Sequence, residues 1–344
     1  MAEYRIGIIG TGKPWRSEGS TGFGMAHAHV RGYQAAGAGK LVAVADIVEA
    51  NAAAFAEQYG GAAVHTDYKA MLASENLDIV SVCTWPALHA PMVLAAAEAG
   101  VKAIHCEKPM APSFGEARAM AEACAARGVQ LTFNHQRRFN TPFRVARELL
   151  RSGAIGALQR MEGNCGNLFD WGTHWFDMFG FYNDESPAQW VMGQVDTRDV
   201  KKVFGVPLET YGLSYVQYQN GVQGLMLTGE QTLLGCANRL IGSDGTIEVL
   251  WEAPWVRVRA AGEREWRVPE GVDESIHDAA AQPRVMADIA DALATGREPE
   301  LSARRALQAT EVIFATYESS RRRARVDLPL AIDDSPLEAI ISAG

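Results

Sequence analysis

Residues 4–12 read YRIGIIGTG, and the fold of the chain turns on them. Residues 5–9 form a short apolar strand that runs straight into Gly10-Thr11-Gly12. A strand that ends in closely spaced glycines and leads toward a helix is how a dinucleotide-binding fold receives a pyrophosphate. One glycine makes the tight turn, the next lets backbone N–H groups come close, and the helix N-terminus adds a favourable field. Here the glycine series is interrupted by residues 13–21, before Gly22-Phe23-Gly24. A glycine-rich turn without a ligand is the plain alternative. The inserted stretch reads as a surface loop, with a flap carrying Trp15 and Arg16 as the other possibility. Asp46 ends a second strand, 41–45, 22 positions beyond Gly24. A carboxylate about 20 residues past the glycines accepts adenosine ribose hydroxyls and repels a 2′-phosphate. Ile47 and Val48 follow and offer no cation, so NAD is preferred to NADP. A helix N-cap is the alternative use of Asp46.

Outward from this unit, short apolar strands keep alternating with helices. The strands are Ile79-Val80-Ser81-Val82-Cys83, Ala103–Cys106 and Gln130–Phe133, and the helices fall at 50–59, 91–99 and 114–127. This is the pattern of a parallel sheet covered on both faces, a doubly wound Rossmann arrangement. Near residue 132 the pattern changes. A helix at 141–152 is followed by strand signals from 157 onward, among them Tyr211–Tyr218 and 222–228 across Asn220-Gly221. Asn-Gly between alternating runs is the strongest short hairpin signal. A second pair, 238–241 and 246–250, flanks Ser243-Asp244-Gly245, and late helices fall at 283–295 and 303–323. The expectation is a Rossmann dinucleotide-binding domain over 1–131 and a mainly antiparallel sheet domain over 132–344.

Composition agrees with two soluble domains: 344 residues, 48% hydrophobic and 21% charged, enough to bury a core without disulfides or metals. The net formal charge of −9 argues against a nucleic-acid surface. The basic run Arg321-Arg322-Arg323 with Arg325 reads as a solvated helix C-terminus. Five cysteines, odd in number and widely spaced, read as reduced thiols of a cytoplasmic protein. The chain opens directly into a strand without a signal-peptide pattern. The uncharged stretch 79–97 contains Pro86, His89 and Pro91, and so reads as strand, loop and helix rather than a membrane span.

The groups that could move protons fall in two places. Glu107-Lys108-Pro109 follows the strand Ala103–Cys106, and ligands of open parallel sheets lie beyond the carboxyl ends of strands. A free lysine titrates near about 10.4, and burial or the positive charge of an oxidised nicotinamide lowers it toward the range of a useful base. A surface lysine beside Glu107 is the alternative. Asp170 and His174, spaced i, i+4, share a face if a helix begins there. The carboxylate can orient a hydroxyl or the imidazole, which exchanges a proton near neutral pH. An N-capping aspartate and a core histidine are the alternatives. Asp177, Cys165 and His135 lack metal-ligand spacing, and no metal is expected. Trp251, Trp255 and Trp266 read as sheet packing rather than as sugar platforms.

In this order the motifs resemble the Gfo/Idh/MocA family of nicotinamide-dependent oxidoreductases, over nearly the whole chain. Residues 5–12 are similar to its first strand and glycine turn, and 78–89 (DIVSVCTWPALH) to its fourth strand and cofactor-touching loop. Residues 105–109 are similar to its Glu-Lys-Pro signature, 134–139 (NHQRRF) to its interdomain segment, and Asp170 with His174 to its Asp-x-x-x-His pair. Residues 242–247 and 327–329 are similar to its late sheet. The resemblance implies that Gly10, Thr11, Gly12, Gly22, Gly24, Asp46, Thr84, Trp85, His89, Glu107 and Lys108 hold the cofactor. It implies that Lys108, Arg137, Asp170 and His174 hold substrate, that Lys108 and His174 carry the proton, and that Asp170 orients substrate or His174. A sugar, cyclitol, related polyol or glycoside is the implied substrate class. The implied second domain has an open-faced sheet through which a homodimer or homotetramer forms.

Two other activities are compatible with the same motifs. One is an NAD-recycling glycosidase or lyase that oxidises a ring hydroxyl, eliminates a substituent and returns the hydride. The other is a nucleotide-dependent sensor without chemistry, against which the presence of Lys108, Asp170 and His174 speaks. Two departures from the family pattern stand out. One is the insertion after Gly12. The other is a short stretch between Gly156 and Gly166, which leaves one pocket wall missing or supplied by a neighbouring subunit.

Overall fold

The computed structural model describes residues 3–229 and 234–343. They form two compact units: Met1–Pro112, Glu116–Gln136 and Ala279–Ala306 in the first, Ser113–Gly115, Arg137–Asp278 and Leu307–Gly344 in the second.

The chain alternates strand and helix through β1 (Tyr4–Ile9), α1 (Met25–Ala36), β2 (Gly39–Ala45), α2 (Glu49–Tyr59), β3 (Ala63–His65), α3 (Tyr68–Ser74), β4 (Ile79–Val82), α4 (His89–Glu98), β5 (Ala103–Cys106), α5 (Phe114–Ala126) and β6 (Gln130–Phe133). The six strands are parallel in the order β3-β2-β1-β4-β5-β6. Every position of β4 and β5 is buried. That explains their largely apolar sequence, because a strand covered on both faces has no polar side to alternate with, and the two polar residues, Ser81 and His105, are hydrogen-bonded to Tyr33 and Thr132. On one face Ile8, Leu41 and Val44 pack with Ala26 and Val30 of α1 and Phe55 of α2. The order reverses between β1 and β4, so the loops after these strands flank the crevice where such sheets bind ligands.

Residues 279–306 add to this unit a segment that the pattern-based boundary at 131 does not include. Its helix α8 (Ala281–Thr295) crosses α1 at Gly32, where an added Cβ would lie 3.1 Å from the Gln282 carbonyl oxygen. Gln130 donates to the Ile289 carbonyl at 3.0 Å, and the Phe133 N–H donates to Leu301 at 3.1 Å. The segment therefore covers β6, which would otherwise present an open sheet edge.

The second unit is built on a sheet of eight strands. In chain order its elements include α6 (Thr141–Arg151), β7 (Leu158–Cys165), α7 (Gly172–Tyr182), β8 (Ala188–Asp196), the small hairpin β9 (Lys201–Val203) and β10 (Val206–Leu208), β11 (Tyr211–Tyr218), β12 (Gln223–Thr228), β13 (Asn238–Gly242), β14 (Gly245–Val249), β15 (Val256–Ala260), α9 (Ala303–Arg322), β16 (Val326–Asp327) and α10 (Pro336–Ala343). The order is β15-β14-β13-β7-β12-β11-β8-β16, antiparallel throughout except for the parallel pair β7 and β12. The short stretch between Gly156 and Gly166 is the central strand β7. Gly221, at φ +90, turns the hairpin between β11 and β12.

Burial alternates along β11 and β12, so one face of this sheet is core. Phe143, Trp175, Phe179, Phe314 and Tyr317 pack against it from the helices. Across the other face runs a row of opposite charges. Arg239 bonds Glu162 at 3.0 Å and Glu248 at 2.7 Å, and Arg257 bonds Glu248 at 2.7 Å, each pair directly cross-strand. Such pairs favour register. Met192, Tyr211 and Leu213 are exposed on β8 and β11. Among the described residues no helix is long and apolar enough to cross a membrane.

Candidate active site

β1 delivers Gly10 and Gly12 in left-handed conformations, φ +84 and +53, and the two need glycine for different reasons. A Cβ on Gly10 would lie 2.9 Å from the Cys83 carbonyl oxygen, so glycine lets the loops after β1 and β4 close on each other. A Cβ on Gly12 would meet no protein atom within 4 Å, so that side of the turn is open to a ligand. Gly24, φ +62, precedes α1, and its Cβ would lie 2.8 Å from the Lys13 carbonyl oxygen and 2.9 Å from the Trp15 nitrogen. The segment from Lys13 to Gly24 therefore closes on itself. It leaves the glycine turn and returns to it as a compact loop, so an interruption in sequence closes in space. Gly22 lies inside this loop. Lys13 Nζ donates to the Glu18 carbonyl at 3.0 Å, and the Arg16 guanidinium lies 4.0 Å over the Trp15 ring. Trp15 and Phe23 are each about half exposed.

Asp46 completes the turn. Its Oδ2 accepts from the Gly12 N–H at 2.8 Å and from Thr11 Oγ1 at 3.0 Å, and its Oδ1 accepts from the Val48 N–H at 2.9 Å. The residue at the start of α2 is Val48, without a side-chain cap, so Asp46 braces the glycine turn and is not an N-cap. Ile47 and Val48 are exposed. An open glycine face, a neighbouring carboxylate and the start of α1 fit a nicotinamide dinucleotide.

The loops after β4 and β5 are tied together by His89. This buried ring meets the Thr84 carbonyl through Nε2 at 3.0 Å, and the Pro109 and Met110 carbonyls through Nδ1 at 3.0 and 3.2 Å. Burial pushes its pKa down against these carbonyl contacts. Thr84 is half-buried and Trp85 exposed. Glu107 is buried, yet its Oε1 meets His29 Nε2 at 2.9 Å and Asn134 Nδ2 at 2.7 Å. Burial alone would raise this carboxyl, but the His29 hydrogen bond and charge, followed by the Asn134 bond, outweigh it and hold it down at about 2. Glu107 Oε2 accepts from the Lys108 N–H at 3.3 Å, and Gln282 donates to Asn134 at 3.3 Å. Lys108 is half-buried at the carboxyl end of β5. Sequence reasoning missed His29 and Asn134 as its supports. The signal for His29 is a histidine on the buried face of α1.

In the second unit α7 begins at Gly172, so Asp170 lies in the turn ahead of the helix. This corrects the premise that the two residues share one helix face from 170 onward. That turn is held by Asn167, whose Oδ1 accepts from the Asp170 N–H at 2.6 Å and the Trp171 N–H at 3.3 Å, while Trp171 at the helix N-cap has no side-chain cap bond. Glu209 holds the same turn by accepting from the Leu168 N–H at 2.6 Å, Thr228 Oγ1 at 3.0 Å and the Tyr317 hydroxyl at 2.8 Å. Burial raises its carboxyl above the usual range. Neither Asn167 nor Glu209 was singled out from sequence, though an Asn whose side chain bonds backbone N–H groups a few residues on is a turn signal. Asp170 and His174 are both buried. Trp175 Nε1 donates to the Asn164 carbonyl at 2.6 Å and docks α7 on β7. Arg137 is buried with its guanidinium carbon 4.4 Å over the Trp175 ring. Trp251 and Trp255 pack on the core, and Trp266 lies under Arg257 and Arg259.

Two family models match the chain. One is described as an oxidoreductase family with an NAD-binding Rossmann fold, over residues 4–135, and the other as the C-terminal alpha/beta domain of an oxidoreductase family, over residues 159–328. A D-apiose dehydrogenase of Paraburkholderia graminis is 34% identical over 128 residues, 37% of this chain and 34% of that protein. Inositol 2-dehydrogenase 3 of Saccharopolyspora erythraea is 35% identical over 154 residues, 44% of this chain and 42% of that protein. The matched stretch thus spans less than half the length of either relative. A levoglucosan dehydrogenase solved in complex with NADH and L-sorbose has a TM-score of 0.80 at 22% identity, covering 96% of this chain and 100% of that one. At that identity the likeness is one of fold.

Proposed function

We propose that this chain, which belongs to the Gfo/Idh/MocA family of oxidoreductases, reversibly oxidises a secondary alcohol of a sugar, cyclitol or related polyol or glycoside, with NAD preferred to NADP. The observation that carries the reading is the open glycine turn at the end of β1 in the same parallel sheet whose β5 ends at Cys106, two residues before Lys108. Similarity to D-apiose and inositol dehydrogenases supports the substrate class.

When bound, the nicotinamide supplies the acceptor for the hydride of the carbinol carbon. The remaining work belongs to the chain. Gly10, Thr11, Gly12, Gly22, Gly24 and the start of α1 hold the pyrophosphate. Asp46 takes the ribose hydroxyls, and with Ile47 and Val48 beside it offers a 2′-phosphate a carboxylate and no cation. Thr84 and Trp85 border the cofactor. His89 and Glu107 hold the loops that present Lys108. The hydroxyl proton leaves through Lys108 or His174, Asp170 orients the substrate or His174, and Arg137 contacts the substrate. Assembly as a homodimer or homotetramer through the face bearing Met192, Tyr211 and Leu213 completes the reading, and light scattering of the purified chain checks it.

The test of the activity is a panel of sugars, cyclitols and glycosides followed by the absorbance of reduced nicotinamide, with NAD and NADP side by side. Stoichiometric reduced cofactor, larger with NAD, is expected. Net bond cleavage without added NAD would point to the redox-elimination chemistry instead. Cofactor binding with no turnover across the panel would point to a sensor.

A further inference from the structure

Arg137 and Arg138 are consecutive and both buried, 5% and 2% exposed, yet the second unit treats them in opposite ways. Arg138 is neutralised. Its Nε and Nη2 donate to the two oxygens of Asp177 at 2.8 Å each, and its Nη1 donates to Glu185. Among the described residues Arg137 makes no ion pair with a carboxylate. Its Nη1 donates to the Ile276 carbonyl at 2.8 Å, and its Nε is buried without an acceptor. Its surroundings are aromatic. The guanidinium carbon lies 4.4 Å from the Trp175 ring centre, 5.8 Å from Trp171 and 6.0 Å from Phe143. Trp175 and Phe143 are fully buried and form a floor. Trp171 is 38% exposed, and the exposed His277 meets it edge-on at 6.0 Å, so the rim reaches solvent. Burial pulls the Arg137 pKa down to about 9. A buried cation that no carboxylate of the described residues pairs is unfavourable unless an anion joins it.

We propose that Arg137, with the rings of Trp171 and Trp175, is an anion subsite for the carboxylate of an acidic sugar, so that the substrate is a sugar acid rather than a neutral polyol. This rests on the reading that the chain oxidises a sugar-like alcohol. The planar guanidinium fork matches a carboxylate; the buried Trp175 ring backs the guanidinium, and the part-exposed Trp171 indole offers apolar surface to the C–H side of a sugar ring. One guanidinium balances one carboxylate. His277 at the rim is biased toward its neutral form by partial desolvation and by the Arg137 charge, so it adds no second full charge to hold a doubly charged phosphate.

Calorimetric titration of the full chain tests this. The probes are D-glucuronate, D-galacturonate, D-gluconate and D-galactarate, against D-glucose, D-galactose and glucose 6-phosphate. At least one acid is expected to bind about 30-fold or more tightly than its neutral parent. Arg137→Gln should remove that preference, so that acid and neutral parent bind alike, and Arg137→Lys should restore part of it. Equal binding of acids and neutral parents, no saturable binding of any acid, tighter binding of the phosphate, or a preference that survives Arg137→Gln would each overturn the proposal. The wild-type comparison of acid with neutral parent stands even if a variant fails to fold. Turnover separates the two readings. Oxidation of neutral sugars without acid preference removes the subsite and leaves the oxidoreductase, whereas acid binding without reduced cofactor removes the oxidoreductase and leaves the subsite.

Discussion

Glu107 stays charged while buried because His29 and Asn134 hydrogen-bond its carboxylate. Removing one partner of a buried pair leaves the other charge uncompensated. His29→Ala should therefore destabilise the protein by about 3–5 kcal/mol in denaturant unfolding, and a loss no larger than that of a surface substitution would contradict the pairing. The two glycines of the first turn make a sharper contrast. Gly10→Ala drives a Cβ to within 2.9 Å of the Cys83 carbonyl oxygen and should lower the melting temperature markedly. Gly12→Ala meets no protein atom within 4 Å. It should cost only the left-handed backbone penalty of about 1–2 kcal/mol, while NADH affinity, read by fluorescence titration, falls at least tenfold. If NADH affinity stays unchanged in Gly12→Ala, the turn does not hold the cofactor. Lys108, Asp170 and His174 stand out in the sequence because their residue types can exchange protons and their spacing is regular. His29 does not, because its partner lies 78 positions away and no local pattern links them.

Helix α7 shows how a local signal sets the position of a reactive group. The i, i+4 spacing of Asp170 and His174 points to a helix there, but the turn into it is held by Asn167, and the helix starts at Gly172. Asn167→Ala removes an acceptor from the buried Asp170 N–H and from the Trp171 N–H and should cost about 1–3 kcal/mol of stability. Because that turn fixes Asp170, substrate turnover should fall more than cofactor affinity. An equal fall in both would show that the turn does not serve the substrate side. Five strands of the parallel sheet were legible because burial on both faces leaves largely apolar runs, whereas β3, three residues that are mostly exposed, leaves no such run and was not read; the hairpin at Asn220-Gly221 was legible because its turn chemistry is local. Residues 279–306 were not tied to β6 by any sequence signal. An amphipathic helix declares that one face will be buried, not which sheet will bury it. The insertion after Gly12 hid the glycine motif for a related reason, since the contact of Gly24 with Lys13 and Trp15 is visible only in space.

Across the folded chain, the depressed groups set the sign of the acid response. Glu107 titrates at about 2 when folded against a reference of 4.5. Its contribution is fully present above 4.5 and is lost as pH falls toward 2, because the unfolded chain takes up the proton first. His89, lowered by burial from 6.5, acts in the same sense below 6.5. Glu209 and Glu311, raised by burial, oppose both. Comparison with Glu107→Gln isolates the first contribution. The stability advantage of the wild type over this variant should shrink as pH falls below 4.5, and an advantage that stays constant or grows would contradict the assigned direction. Whether Lys108 carries the hydroxyl proton is read by measuring alcohol oxidation and NADH affinity together in Lys108→Ala. Loss of turnover by about 10²-fold or more, with NADH binding largely retained, is the predicted result. Unchanged turnover, or turnover lost only because the cofactor no longer binds, would contradict Lys108 as a carrier of the hydroxyl proton.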